Sequence, residues 1–329
     1  MAMKALWDMA AGQFFSCLPR PTEDCTGRTV IVTGANTSLG LEAARHLVRL
    51  NAAKVIIACR TVEKGEAACR DIEASTQRQG VVEVWQLDLS SFDSVKDFAS
   101  RANKLHRLDV LINNASSMLM RYSRHEGYET MITVNVISTL LLSILLLPIL
   151  RQTGSRFNIV PHIVTVSSEA AFLAFFPQRK AKHVLDKLKT DGSFRERYNT
   201  SKLLQLMATR KLAEAIDASH KGRVVVNALS PGLCKTELFR DMSFFPVNVV
   251  RWLMLHVCLP RSCEVGSRTL LAAAFAGDET HGWWMSSCKL RRYWPALMSG
   301  PEGAELTDKI WGELVDVLET TAPDVMAHI

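Results

Sequence analysis

Eight cysteines are spread over 329 residues, and no two of them form a C-x-x-C pair. A zinc site or a redox dithiol of that spacing is therefore not expected. Cys17, Cys25, Cys59, Cys69, Cys234, Cys258, Cys263 and Cys288 read as reduced intracellular thiols, which points to a cytoplasmic protein. Long runs of one charge sign are also missing. The 39 basic and 33 acidic residues leave a net charge of +6, too mild and too dispersed to imply nucleic acid. No internal repeat, low-complexity tract or Gly/Ser linker divides the chain, so residues 26–329 are expected to form one domain. Residues 1–25 form an N-terminal extension. Its stretch MAMKALWDMAAGQFFSCLPRP lacks the unbroken apolar centre of a signal peptide, because Asp8 and Gln13 interrupt it. A short amphipathic helix is expected there, lying on the fold or on a membrane surface.

What is present is a regular alternation. Apolar, β-branched runs stand at TVIVT (29–33), KVIIAC (54–59), VVEVWQLDL (81–89), LDVLINN (108–114), PHIVTVSS (161–168) and RVVVNALSPG (223–232). Helical patterns separate them, at 41–50, at 62–77 and after residue 89, and two more are expected near 262–276 and 304–318. Strands alternating with helices at this spacing predict an α/β fold, a Rossmann-type doubly wound parallel sheet with helices on both faces. Residues 130–150 carry no charge. By length they could span a bilayer. Several threonines and serines and Asn135 dilute the stretch, Pro148 lies near its end, and strands flank it, so it reads as one long buried helix. Its apolar surface serves either sheet packing or a homodimer contact.

The segment TGANTSLG (33–40) joins the first strand to the first helix, where such a sheet holds a dinucleotide pyrophosphate on backbone N–H groups. Gly34 permits the turn and Gly40 lets helix and strand approach. Further along, YNTSK sets Tyr198 four residues before Lys202, on one face of a helix.

Five motifs, each at a strand end or in the following helix, occur in one order: TGANTSLG, LDLSS with Asp88, NNA at 113–115, Ser168 with YNTSK, and SPG at 230–232. In that order the chain resembles the short-chain dehydrogenases/reductases over about residues 26–320. It is most similar to the branch of retinol dehydrogenases and related fungal-type reductases. The resemblance makes Tyr198 the general acid or base, Lys202 the cation that lowers its pKa, Ser168 the hydroxyl that steadies the substrate oxygen, and Asn135 the holder of a relay water. Ser167, the neighbour of Ser168, reads as a strand-end hydroxyl satisfying the backbone. The resemblance places a dinucleotide against Gly34, Asn36, Ser38, Leu39 and Gly40, and against Asp88, Leu89, Asn114 and Ala115. At the nicotinamide end it adds Tyr198, Lys202, Pro231, Gly232 and Thr236. Two positions depart from the family pattern: Ser38 and Ser116 stand where glycines are usual. Ser38 could cap the helix and offer its hydroxyl to a phosphate.

Cofactor choice turns on the end of the second strand. No acid stands at 58–61, where it would bind ribose hydroxyls, and Arg60 with Lys64 nearby suits a 2′-phosphate. NADP(H) is the expected cofactor; no metal is expected. The segment at about 233–262 is rich in apolar and aromatic side chains, among them Phe239, Phe244, Phe245 and Trp252. It suits a bulky hydrophobic ketone, aldehyde or alcohol as substrate. The expected activity is NADPH-dependent carbonyl reduction, reversible as alcohol oxidation. A catalytically idle NADP(H) sensor or scaffold is the competing reading, and a peripheral membrane enzyme a third.

Overall fold

Period-two alternation within the first strand decides how the molecule is layered. In Thr29–Thr33 (β1), Ile31 faces one side of the sheet while Val30 and Val32 face the other, and all are fully buried. A strand buried on both faces needs helices on both. The computed structural model describes residues 2–190, 196–239, 252 and 259–329, with the side chains of 2–6 and 239 outside the description. The sheet has β1 with Lys54–Cys59 (β2), Val82–Gln86 (β3), Val110–Asn113 (β4), His162–Val166 (β5), Val225–Ser230 (β6), Trp284–Ser286 (β7) and Lys289–Arg291 (β8). Their order is β8-β7-β6-β5-β4-β1-β2-β3. All neighbours run parallel except β8, which pairs antiparallel with β7. The six expected strands are thus present.

On one face Ile31, Ile56, Leu111, Ile163 and Val226 pack under helices Phe92–Ala102 (α4), Ser138–Leu145 (α5), Arg197–Ser219 (α7) and Gly300–Thr321 (α9). On the other, Val30, Val32, Ile57, Ile112 and Val164 pack under Ser38–Arg49 (α2), Val62–Thr76 (α3) and Cys263–Ala274 (α8). The chain order reverses direction in the sheet between β1 and β4. This is the switch point outside whose strand ends ligands bind in such folds. Among the described residues the cysteines are unpaired.

The uncharged stretch 130–150 is not the single helix expected. It starts helically at Thr130–Ile132, widens into a π turn at Thr133–Ile137, continues as α5, and breaks before Leu147–Phe157 (α6). The two parts meet at 42°. Pro148, at the start of α6, has no N–H to extend the ladder of α5. The π turn loosens carbonyls that side chains then take: Thr139 donates to the Val134 carbonyl at 2.9 Å and Gln205 to that of Asn135 at 2.7 Å. Among the described residues no single helix is long and apolar enough to cross a membrane.

The N-terminal stretch forms the helix Ala2–Phe15 (α1) and lies on the fold, with Asp8 paired to Arg291 at 3.2 Å. The β7–β8 hairpin was not visible in the sequence. Its turn residues, Ser287 and Cys288, both have left-handed φ values (52° and 60°) without the Asn-Gly signature such turns usually carry.

Candidate active site

The turn after β1 is as tight as its glycines allow. Gly34 has φ +64°, and a Cβ there would lie 2.9 Å from the Cα of Ala115 at the end of β4. A Cβ on Gly40 would meet Asn114 Nδ2 at 2.5 Å and the Gly34 carbonyl at 2.7 Å. Asn114 in turn donates to the Thr33 and Gly34 carbonyls, at 2.8 and 3.2 Å, and the Ala115 N–H donates to Thr33 Oγ1 at 2.9 Å. Two adjacent strand ends are thereby locked around a backbone cradle at the N-terminus of α2. Such a cradle fits an anionic pyrophosphate. Leu39 is buried beneath it, and Asn36 is half-buried in the turn.

Ser38 does not cap α2 as the sequence suggested. Thr37 occupies the cap position without a side-chain bond. Ser38 has a left-handed φ of 53°, which explains why glycine is usual there, and its hydroxyl accepts the Glu237 N–H at 3.1 Å.

Arg60 and Lys64 stand exposed at the end of β2 and the start of α3. Asp88, after β3, accepts the N–H and hydroxyl of Ser90 at 2.9 and 2.6 Å through Oδ1. Leu89 beside it is buried. Arg60 and Lys64, the backbone cradle and Asp88 thus stand past the ends of β2, β1 and β3, a set of groups that fits a dinucleotide.

The other side carries the titratable pair. The Ser167 hydroxyl donates to the Lys202 carbonyl at 3.1 Å, which ties β5 to α7. Ser168 is turned elsewhere: it accepts the Ala170 N–H at 3.1 Å. Burial pushes the Tyr198 phenol up to about 12, and the nearby Ser168 hydroxyl pulls in the opposite direction. Lys202 is buried, and its Nζ donates to the Val166 carbonyl at 2.9 Å and lies 5.6 Å from the Tyr198 ring centre. Burial pulls its ammonium down to about 7.

Asn135 sits in the π turn, fully buried, with its amide satisfied. Oδ1 accepts the Ser117 N–H at 2.7 Å and the Ser116 hydroxyl at 3.1 Å; Nδ2 donates to the Ser117 carbonyl at 2.9 Å and to Ser201 Oγ at 3.0 Å. The amide thus reaches Ser201, the neighbour of Lys202. Ser116, the second departure from the glycine pattern, gains a partner in Asn135. Sequence reading passed over Ser117, Ser201 and Gln205, since hydroxyls and amides one turn from a motif give no periodic signal.

Past β6, Gly232 has φ +75°, the Pro231 carbonyl accepts from Arg261 at 2.7 Å, and the Thr236 N–H donates to the Cys234 carbonyl at 3.0 Å. Of the expected substrate residues, Trp252 is exposed. Phe239 ends a short helical turn, its side chain outside the description, and Phe244 and Phe245 lie outside the described residues.

The family profile described as short chain dehydrogenase matches residues 28–179. A short chain dehydrogenase/reductase of Cryptosporiopsis sp. (strain 8999) is 41% identical over 324 residues, which cover 96% of this chain and 98% of the relative. Among solved structures, a putative uncharacterized protein from Mycobacterium paratuberculosis matches with a TM-score of 0.64 at 27% identity, over 91% of this chain and 96% of the other. The RhlG/NADP complex of Pseudomonas aeruginosa shares the fold with a TM-score of 0.61 at 22% identity, over 81% and 97%. With the glycine cradle, the strand order and these likenesses together, the chain belongs to the short-chain dehydrogenase/reductase family of oxidoreductases.

Proposed function

We propose that the protein is an NADP(H)-dependent oxidoreductase that reduces the carbonyl of a bulky hydrophobic substrate to an alcohol, and runs in reverse as an alcohol dehydrogenase. The observation that carries this reading is Tyr198, on whose phenol Ser168 acts, on one helix with the buried Lys202, together with the glycine cradle after β1. When bound, the nicotinamide supplies or accepts the hydride. Ser168 donates a hydrogen bond to the substrate oxygen, and Tyr198 gives it the proton it needs on becoming an alcohol. A phenol held near 12 is fully protonated at neutral pH and ready for that role. Lys202, when it holds its proton, favours the phenolate that remains, which solvent then reprotonates. Arg60 and Lys64 support the phosphorylated cofactor, as does the NADP named for the Pseudomonas aeruginosa relative of the same fold. The apolar composition of 233–262 supports the hydrophobic substrate.

The test is a panel of hydrophobic and polar carbonyl compounds, read by loss of NADPH absorbance. Hydrophobic ketones or aldehydes should be reduced, and Tyr198→Phe should lose on the order of 10²–10⁴-fold in turnover while still binding NADPH. Near-normal turnover by that variant would rule out Tyr198 as the acid.

A further inference from the structure

We infer that the N-terminal helix α1 is part of the active site's framework, with Gln13 a positioning residue for the turn at 231–233. This rests on the proposed function, since it is the family resemblance that sets this turn beside the nicotinamide. The turn leaves β6 through Pro231 and the left-handed Gly232. Its backbone is served by a side chain from far away in sequence: Gln13 Oε1 accepts the Leu233 N–H at 2.9 Å. Gln13 Nε2 donates to the Leu233 and Leu259 carbonyls, both at 3.2 Å. Both ends of one amide are thus spent on fixing main chain. A Cβ on Gly232 would fall 2.6 Å from Gln13 Oε1 and 2.8 Å from Arg261 Nη1, so the two side chains sit directly on the glycine.

Arg261 completes the clamp. It is buried, and donates to the Pro231 carbonyl at 2.7 Å, to the Gly12 carbonyl of α1 at 2.5 Å and to Ser287 Oγ at 3.1 Å. The helix approaches so closely that a Cβ on Gly12 would lie 2.7 Å from Ser287 Oγ. The neighbouring Ser286 donates to Glu169, the residue after Ser168, at 2.7 Å. One polar network therefore runs from α1 through the turn and the β7–β8 hairpin to the segment holding the active serine. The residues expected to hold the phosphates and adenine, Gly34 to Gly40 and Asp88, follow the ends of β1 and β3. Loss of Gln13 should disturb hydride transfer and spare dinucleotide affinity.

The experiment uses the full chain with Gln13→Ala and Gln13→Glu. Amide hydrogen exchange should accelerate at residues 232–235 and stay unchanged in β1 and β5. The fluorescence of bound NADPH should change, its Kd should stay within about twofold, and kcat should fall about tenfold on a carbonyl found by the panel. Glu should behave like Ala, because a carboxylate cannot donate to the two carbonyls. Unchanged exchange at 232–235, a glutamate variant that matches the parent, or a Kd loss as large as the kcat loss would overturn the assignment. If the parent reduces no carbonyl, the proposed function fails, while exchange and NADPH fluorescence still decide the role of Gln13.

Discussion

Tyr198 and Lys202 share a face of α7, yet burial moves their titrations in opposite directions, to about 12 and about 7. The lysine has a consequence for stability. Unfolded, it keeps its proton up to its ordinary 10.5; folded, it gives it up above about 7. Between those values the unfolded chain holds the extra proton, so this group makes the fold more stable as pH rises, by at most ~1.4 kcal/mol per pH unit. Urea unfolding of the cofactor-free protein at pH 7 to 9.5 should show that slope, and Lys202→Met should flatten it. The tyrosine has the opposite sign, removing stability above pH 10, where only the unfolded chain ionises. A parent and a Lys202→Met variant with equal slopes would mean the ammonium stays charged in the fold. At Ser38 two effects of similar size oppose each other. Glycine would relieve a left-handed φ costing roughly 1–2 kcal/mol, but would lose the bond to Glu237, worth about 1 kcal/mol, and some backbone entropy. Ser38→Gly should therefore move stability by less than about 1 kcal/mol and bind NADPH at least as well as the parent. A large loss of NADPH affinity in a titration would mark the hydroxyl as a cofactor ligand.

The elements that carry the site are joined by a buried ion pair. Glu129 caps the start of the broken central helix, accepting the Met131 and Ile132 N–H groups at 3.0 and 3.3 Å. Its carboxylate lies 3.8 Å from Arg197, which opens α7 one residue before Tyr198; both side chains are essentially inaccessible. Burial raises the Glu129 carboxyl, and Arg197 opposes that. The pair thus connects the helix of Asn135 to the helix of Tyr198 and Lys202. Arg197→Met would strand a buried carboxylate, so stability should fall by on the order of 3 kcal/mol in chemical unfolding. The double change with Glu129→Gln should recover part of the loss. The break after α5 was prefigured by Pro148, but the π turn was not, because it depends on Thr139 and on Gln205 from another helix reaching the freed carbonyls.

For the molecule as a whole, a dinucleotide that binds the folded form alone stabilises it by mass action, about 2.7 kcal/mol at a hundred times its Kd. NADPH should therefore raise Tm more than NADH at equal concentration, and Arg60→Glu should abolish most of that difference. Equal shifts from both cofactors in the parent protein would remove the basis for preferring NADP(H).

The strand–helix alternation, the two buried faces and the order of the motifs were legible along the chain, since strand period, glycine spacing and Y-x-x-x-K are all local patterns. Gly34 and Gly40 could be assigned their roles from position, and the distances to Ala115 and Asn114 give the reason. The partners of Asn135, the position of Ser38, the Glu129–Arg197 pair and the seat of α1 on residues 231–233 were not legible. Each depends on groups brought together from distant segments. A hydrogen bond between Gln13 and Leu233 leaves no trace in either residue's neighbours, because only the folded chain brings together residues 220 positions apart.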